Sequence, residues 1–418
     1  MLNSLFSRTS RHARQMLKHV DKILSAQRDV LSAEAIRKVE AAMTDLREAL
    51  SAGAGKTVLE SKMTGLESAA NKWLKSYPNP GLRENVEVLL VAIAVAMGIR
   101  TFFVQPFKIP TGSMQPTLYG ITSDPDFSRY GSSVQDLKSE RPFDIPNPFQ
   151  RFFHFWFNGV SYTHVVAKSE GSLQGFDENP RRFLLFNLKQ TFWLGPDREH
   201  LEAYTVWFPP DSMLKRAGLL NAYGQPNSKS FKPGEDLIRL RVISGDHLFV
   251  DRMTYNFRRP KLGEIIVFET KGIPPLPPDQ FYIKRLVAID AIKVQIGNDR
   301  HIVLDGKRLD SKTPHFENVY SFDPNLPPHE SAYSGHLNEQ LARENGIPNL
   351  APLFPDEKSE FPLRPNHYMV MGDNTMNSSD SRSWGDFPRD NVIGRSFFVY
   401  WPIGAQDNRS SRFGWGQR

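Results

Sequence analysis

The hydrophobic positions change their period along the chain, and each change predicts a different kind of element. In the first 85 residues Leu17, Val20 and Leu24, then Ile36, Val39, Met43, Leu46 and Leu50, recur every three or four positions, which puts each set on one helix face. Ser51-Ala-Gly-Ala-Gly55 breaks the pattern. Val58, Met63, Leu66, Ala69 and Trp73 resume it until Pro78-Asn-Pro-Gly81 stops it. The segment reads as a soluble helical hairpin with a docking or regulatory role. Residues 86–104 then lose periodicity. Positions 88–99 are all apolar, Glu87 and Arg100 flank them, and Phe102 and Phe103 extend the run. Nineteen helical residues reach roughly 28 Å at about 1.5 Å each, near the hydrocarbon thickness of a bilayer, and the flanking charges can snorkel. No small-residue cleavage pattern directly follows, which argues against a removable signal peptide. A buried helix of a soluble protein is the competing reading.

Beyond residue 105 the period falls to two. Short alternating or wholly apolar runs lie at 237–243, 247–250, 264–268, 282–289, 293–296, 301–304, 368–371 and 395–401, bounded by Gly, Pro, Asn or Asp. Asp305-Gly306 suits a two-residue hairpin turn. Proline-rich stretches at 274–278 and 347–365 predict irregular connections. Between 121 and 240 the runs are aromatic, at 152–157, 163–167, 183–186 and 204–208. The cluster 152–157 (Phe-Phe-His-Phe-Trp-Phe) reads as core of an accessory domain, or as a segment that dips into a bilayer, where aromatic rings favour the interface. The fold expected is therefore mainly β, with an N-terminal helical segment and one transmembrane helix. The expected division is a helical segment at 1–85, an anchor at 86–105, a β domain from 106–120 with 241–404, an inserted β-rich domain at 121–240, and a tail at 405–418.

Composition narrows the function classes. Of 418 residues, 39% are hydrophobic, enough for a packed core, while a mean hydropathy of −0.44 excludes a polytopic membrane protein. Cysteine is absent, which removes disulfides, thiolate metal sites and a thiol nucleophile. A net charge of +6 over this length is no nucleic-acid footprint, and no nucleic-acid partner is expected. Residues 1–85 carry 14 Lys/Arg against 9 Asp/Glu. By the positive-inside rule this end is cytoplasmic and everything after residue 105 lies outside. The 11 histidines are scattered without an HExxH signature, so no metal or cofactor is expected.

Three segments can carry chemistry. Just past the apolar span, residues 109–118 read Ile-Pro-Thr-Gly-Ser-Met-Gln-Pro-Thr-Leu, where Pro110 and Gly112 bracket a tight bend that presents Ser113. A serine hydroxyl needs a base to remove its proton and donors to hold the oxyanion. No histidine offers itself, but Tyr282-Ile-Lys-Arg-Leu-Val287 places Lys284 inside an apolar strand. Alternation puts Lys284 on the face of Tyr282 and Leu286, with Ile283 and Arg285 opposite. Desolvation there favours the neutral amine, the base of a Ser–Lys variant of triad chemistry. The third segment, Met371 to Gly385, is rich in turn formers; Ser378 can orient an amine, and Asp380 with Arg382 can hold the loop in shape. Taken singly, each is an ordinary turn serine, edge-strand lysine or polar loop.

In this order the segments resemble the boxes of bacterial type I signal peptidases, the membrane-anchored Ser/Lys endopeptidases of the leader peptidase family. Residues 109–118 resemble the nucleophile box. Gly245-Asp-His-Leu-Phe-Val-Asp-Arg252 and Lys261-Leu-Gly-Glu-Ile-Ile-Val-Phe268 resemble the middle box, Tyr282-Ile-Lys-Arg-Leu-Val287 the general-base box, and Gly372-Asp-Asn through Ser381-Arg382 the last. The resemblance covers about 86–118 and 240–404. It implies that Ser113 is the acyl nucleophile, that Lys284 is the general base, and that the Ser113 N–H and the Thr111 hydroxyl form the oxyanion hole. Ser378 would hydrogen-bond Lys284, and Asp380, Arg382, Asp373 and Arg285 would brace the site. Secretory signal peptides would add as an extended strand, with small residues in pockets lined by Phe107, Ile109, Pro110, Met114, Leu118, Tyr282 and Ile283. The implied place is the cytoplasmic membrane, with the catalytic domain on its outer face. Thr111 stands where the family usually has Ser, and Glu264 where it usually has Asp. Thr375 and Met376 replace more polar residues. Ser113 and Lys284 are 171 positions apart, farther than in the family, which implies an insertion at about 121–240. A repressor-type Ser/Lys autoprotease and a scaffold without activity are the alternatives.

Overall fold

The computed structural model describes residues 8–75, 80–127, 143–183, 186–221, 223–406 and 409–415. The chain divides into two compact units, Met1–Val95 and Ala96–Arg418.

Among the described residues the first unit holds three helices before the apolar one, Arg8–Gln27, Ala33–Ser51 and Lys56–Trp73, where a hairpin was expected. Leu17, Val20, Leu24, Val39, Met43, Leu46, Leu59 and Leu66 form their common core. Ser32 caps the second helix by accepting from Ala35 N at 3.2 Å. In the third helix the expected inward residue Val58 is exposed. Leu59 is buried instead, because it lies two turns before Leu66 on the same stripe. The expected stop at Pro78-Asn79 lies outside the described residues. The helix Pro80–Phe102 follows. Its stretch Glu84–Phe102 has a mean hydropathy of 1.7 and no buried residue. Among the described residues it is the one helix long and apolar enough to cross a membrane. The core helix of a soluble protein would be mostly covered, and this stretch is not.

The second unit is built of antiparallel strands, and every run expected after residue 236 is found. One sheet has seven strands in the order β1 (Val104–Lys108), β10 (His247–Asp251), β19 (Val392–Trp401), β11 (Ile265–Glu269), β12 (Phe281–Ala288), β17 (His367–Met371) and β18 (Phe387–Pro388). Four steps separate β1 from β12, roughly 19 Å in a flat sheet at about 4.8 Å per step. Yet Phe107 on β1 and Phe281 on β12 meet edge to face at 5.4 Å. The sheet therefore curls, and Ile109, Met114 and Leu118 pack with Leu248, Val250, Ile265, Val267 and Val399. Ile266, Phe268, Leu286, Val370 and Phe387 fill a second core. With both faces covered, β11 reads as an unbroken apolar run rather than an alternation.

A four-stranded sheet joins β15 (Lys307–Arg308), β14 (Ile302–Leu304), β13 (Lys293–Ile296) and β16 (Phe361–Pro362). Asp305 and Gly306 turn β14 into β15 with φ of 48° and 80°, both in the left-handed region that such a turn requires. The stretch 347–365 is not wholly irregular, since β16 pairs with Lys293 and Val294.

The inserted segment forms β2 (Thr122–Asp124), β3 (Val160–Val166), β4 (Gly171–Phe176), β5 (Arg181–Phe183), β6 (Phe186–Gly195), β7 (Glu202–Trp207), β8 (Ser230–Phe231) and β9 (Asp236–Ile243). They make a three-stranded sheet, β2-β9-β3, and a five-stranded one around β6. Of the expected run 183–186, Leu184 and Leu185 lie outside the described residues. The run 152–157 is neither strand nor core. It lies in a helix, Pro148–Asn158, with no buried residue. Its rings lie on the side turned away from the domain, so they cannot fill its core.

Candidate active site

The curl of the sheet decides which residues meet. The segment after β1 is tied down at both ends by the Gly245-Asp246 corner. Ile109 N donates to Asp246 O at 2.9 Å, and Tyr119 N donates to the Asp246 carboxylate at 2.7 Å. Arg412 also grips that carboxylate, with two contacts of 2.7 Å, and so returns the tail to the domain. Between these ties the chain bends at Thr111 and Gly112 and presents Ser113.

Lys284 sits opposite on β12, an interior strand paired with β11 through Ile266. Its Nζ lies 2.5 Å from Ser113 Oγ. Lys284 is 5% and Ser113 6% exposed. Burial pushes the Lys284 pKa down from 10.5 to about 8; the Asp380 and Asp373 carboxylates oppose the shift and the Arg382 guanidinium adds to it. The Tyr282 ring centroid stands 5.7 Å from the ammonium nitrogen. The pair thus combines a dry amine with a hydroxyl in reach of it, the arrangement that proton abstraction from an alcohol requires.

Two buried ion pairs fix the frame. Arg285, next to Lys284 on the opposite face, grips Asp373 with Nε and Nη2 at 2.7 and 2.6 Å. Its Nη1 donates to the carbonyls of Gly263 and His315. Thr117, on the segment that presents Ser113, donates to Asp373 at 2.5 Å. Arg382 holds Asp380 through Nε and Nη2, each at 2.9 Å, and both side chains are fully enclosed. Asp380 also accepts from Gly372 N at 3.0 Å. Burial raises the Asp380 pKa, but Arg382 and these hydrogen bonds outweigh it and hold the carboxyl below its ordinary range.

The chain is similar to known proteins over the stretches that carry this frame. The family model described as "Signal peptidase, peptidase S26" matches residues 82–123 and 239–401. Over these two stretches the chain is similar to the signal peptidase family. It is 31% identical over 172 residues to signal peptidase I of Helicobacter pylori, which covers 36% of this chain and 58% of that protein. It is 26% identical over 174 residues to signal peptidase I of Leptolyngbya laminosa, covering 41% of this chain and 67% of that one. Against a probable thylakoidal processing peptidase 2 of Arabidopsis thaliana the values are 29% over 198 residues, 46% and 41%. The chain thus spans about three fifths of the H. pylori relative's length. The insertion lies largely between the two stretches that the family model matches.

The expected site residues divide into three groups within this signal peptidase fold. Ser113, Lys284, Asp373, Arg285, Asp380 and Arg382 converge as described. Ile109, Met114 and Leu118 pack in one cluster with Phe107 and Ile283, whereas Tyr282 packs in the other; Pro110 is exposed. Thr111 is exposed on the turn two residues before Ser113. The hydrogen bond expected from Ser378 to Lys284 is not made: Ser378 Oγ is buried, and its side chain lies by the Asp380 carboxylate, which it helps to keep ionised. Glu264, the other departure from the family pattern, braces the fold by accepting from Arg258, Lys261 N and Tyr255.

Sequence reasoning missed three residues that hold the Ser113 turn. Asn374 donates from its backbone N to Ser113 O and from Nδ2 to Gly112 O, both at 3.0 Å. Thr117 supplies the link to Asp373. Gly372 allows the approach itself, since a Cβ there would lie 2.3 Å from Ser378 Oγ and 2.4 Å from Ser113 O. Their signal in the sequence was only their place inside the boxes. Gly372→Ala should therefore push the loop off the Ser113 turn and lower kcat at least about 10²-fold, the cost of misplacing a catalytic group by about 1 Å. Steady-state turnover of a precursor checks this, and a near-normal kcat would show that the close packing is dispensable.

Proposed function

We propose that this chain is a membrane-anchored serine endopeptidase that cleaves N-terminal signal peptides from exported preproteins after small residues of the Ala-X-Ala type. The observation that carries the reading is the 2.5 Å approach of Lys284 Nζ to Ser113 Oγ in a site closed to water. Ser113 Oγ attacks the scissile carbonyl while Lys284 takes its proton. The oxyanion is held by the Ser113 N–H and the Thr111 hydroxyl. Lys284 returns the proton to the departing amine, then draws one from the water that hydrolyses the acyl-enzyme. The preprotein joins as an extended strand beside the 107–114 segment and β12. Phe107, Ile109, Pro110, Met114, Leu118, Tyr282 and Ile283 shape the pockets for its small side chains. The stretch Glu84–Phe102 is the anchor, and the basic segment before it supports a cytoplasmic N-terminus with the catalytic unit on the outer face.

The pH profile tests the dyad. A lysine with a pKa of about 8 is roughly 10% neutral at pH 7, against about 0.03% for one at 10.5. The acid limb of kcat/KM should therefore fall near pH 8, with activity rising tenfold per unit below it. A limb near 10.5 would mean that the amine is not desolvated in the working enzyme.

A further inference from the structure

The helix Pro148–Asn158 is amphipathic in the reverse sense for a protein surface. At 100° per residue, Phe149, Phe152, Phe153, Trp156 and Phe157 fall on one stripe, and Gln150, Arg151, His154 and Asn158 on the other. The polar stripe meets the protein through three of its residues: Arg151 Nη2 donates to Tyr162 O, His154 Nδ1 lies by the Tyr162 hydroxyl, each at 3.0 Å, and Asn158 Nδ2 donates to Ala405 O. The aromatic stripe faces outward, 40–72% exposed. The helix is also clamped in this pose. Trp401 Nε1 donates to Trp156 O and Gly404 N to Phe157 O, both at 2.8 Å, and Gln406 Nε2 to Asn158 O at 2.9 Å.

We infer that this helix is a second membrane contact, lying in the bilayer interface with its aromatic stripe among the lipids. Three observations favour lipid over a protein partner. The same chain carries an exposed apolar span, Glu84–Phe102, and β1 begins two residues after it, so this domain is tethered at a bilayer. The aromatic surface does not end with the helix. Phe155 meets Trp401 at 6.0 Å; beyond it, on β10 and β19, Phe249 lies tilted against Tyr400 at 4.5 Å, and Phe398 meets Trp415 of the tail at 4.6 Å. The helix contains no acidic residue, so nothing in it repels an anionic lipid surface. The inference rests on the anchor reading and adds to it, since most of the insertion falls outside the stretches that the family model matches. An orientation held at two points would fix the height of the Ser113 turn above the lipid.

The absence of cysteine makes the test direct. Phe149→Cys, Phe152→Cys, Leu90→Cys in the span and Glu199→Cys on an exposed loop are each labelled with a fluorophore. The full chain is reconstituted in vesicles of phosphatidylcholine and phosphatidylglycerol. Nitroxide-bearing lipid should lower emission at 149 and 152 at least about twofold, as at 90, and leave 199 unchanged, while aqueous iodide should quench only 199. Iodide quenching at 149 and 152 equal to that at 199 overturns the proposal. So does shielding from both quenchers, which would mean coverage by protein. Lipid quenching at 90 alone leaves the anchor and removes the helix; quenching at neither removes both.

Discussion

Lys284→Met is expected to lower precursor cleavage by at least about 10³-fold at pH 8 while making the folded protein more stable. The first effect follows from removing the one base in reach of Ser113 Oγ. The second follows from linkage. The folded pKa, about 8, lies below the unfolded value of 10.5. Lysine therefore costs the native state nothing above pH 10.5, an increasing amount as the pH falls toward 8, and a constant amount below. Methionine fills the same space with no charge to desolvate. The gap predicts a gain of up to about 3 kcal/mol at pH 7 that closes by pH 10.5. Denaturant unfolding at the two pH values measures it. Ser113→Ala provides the comparison: it should lose the activity equally but keep the wild-type dependence of stability on pH. Retained turnover in either variant would remove that residue from the reaction.

Asp380→Ala should destabilise the catalytic unit by about 3–5 kcal/mol, the penalty for leaving a buried guanidinium without its anion. Arg382 has no exposure through which water could replace the lost carboxylate, and Gly372 N would lose its acceptor. The double change Asp380→Leu with Arg382→Met should recover much of the loss, because no unpaired charge then remains. Any folded fraction of Asp380→Ala carries a second signature. Asp380 raises the Lys284 pKa, so removing it should move the acid limb of kcat/KM below pH 8. A melting temperature within a degree of the wild type would show that the pair is not coupled to folding.

Legibility differed between the two halves of this candidate site. Ser113 and Lys284 were readable as a pair, because the segments that carry them follow an apolar span in the order of a known family; singly each is an ordinary turn serine or strand lysine. The strands from β9 onward were readable for a local reason, as period-two runs between turn formers. The supporting contacts were not. Thr117 and Asn374 are common polar residues whose roles depend on the curl that carries β12 back to β1. Ser378 shows the converse, a residue placed correctly in its loop whose expected partner is not reached. In the helical unit a slip of one position, Val58 for Leu59, exchanged an exposed side chain for a buried one, because only packing against the neighbouring helices sets the register.

The amino-acid order alone marked the exposed apolar helix, the order of the β elements and the two residues proposed to react, since hydropathy, turn chemistry and reactivity are properties of a few adjacent residues. Tertiary structure decided how far the sheet curls, and hence that Lys284 is dry and within 2.5 Å of Ser113. It also decided that the aromatic run 152–157 faces outward. A helical pattern fixes which residues share a stripe but not which stripe the rest of the protein covers; contacts such as those of Arg151 and His154 with Tyr162, distant from the anchor in sequence, make that choice.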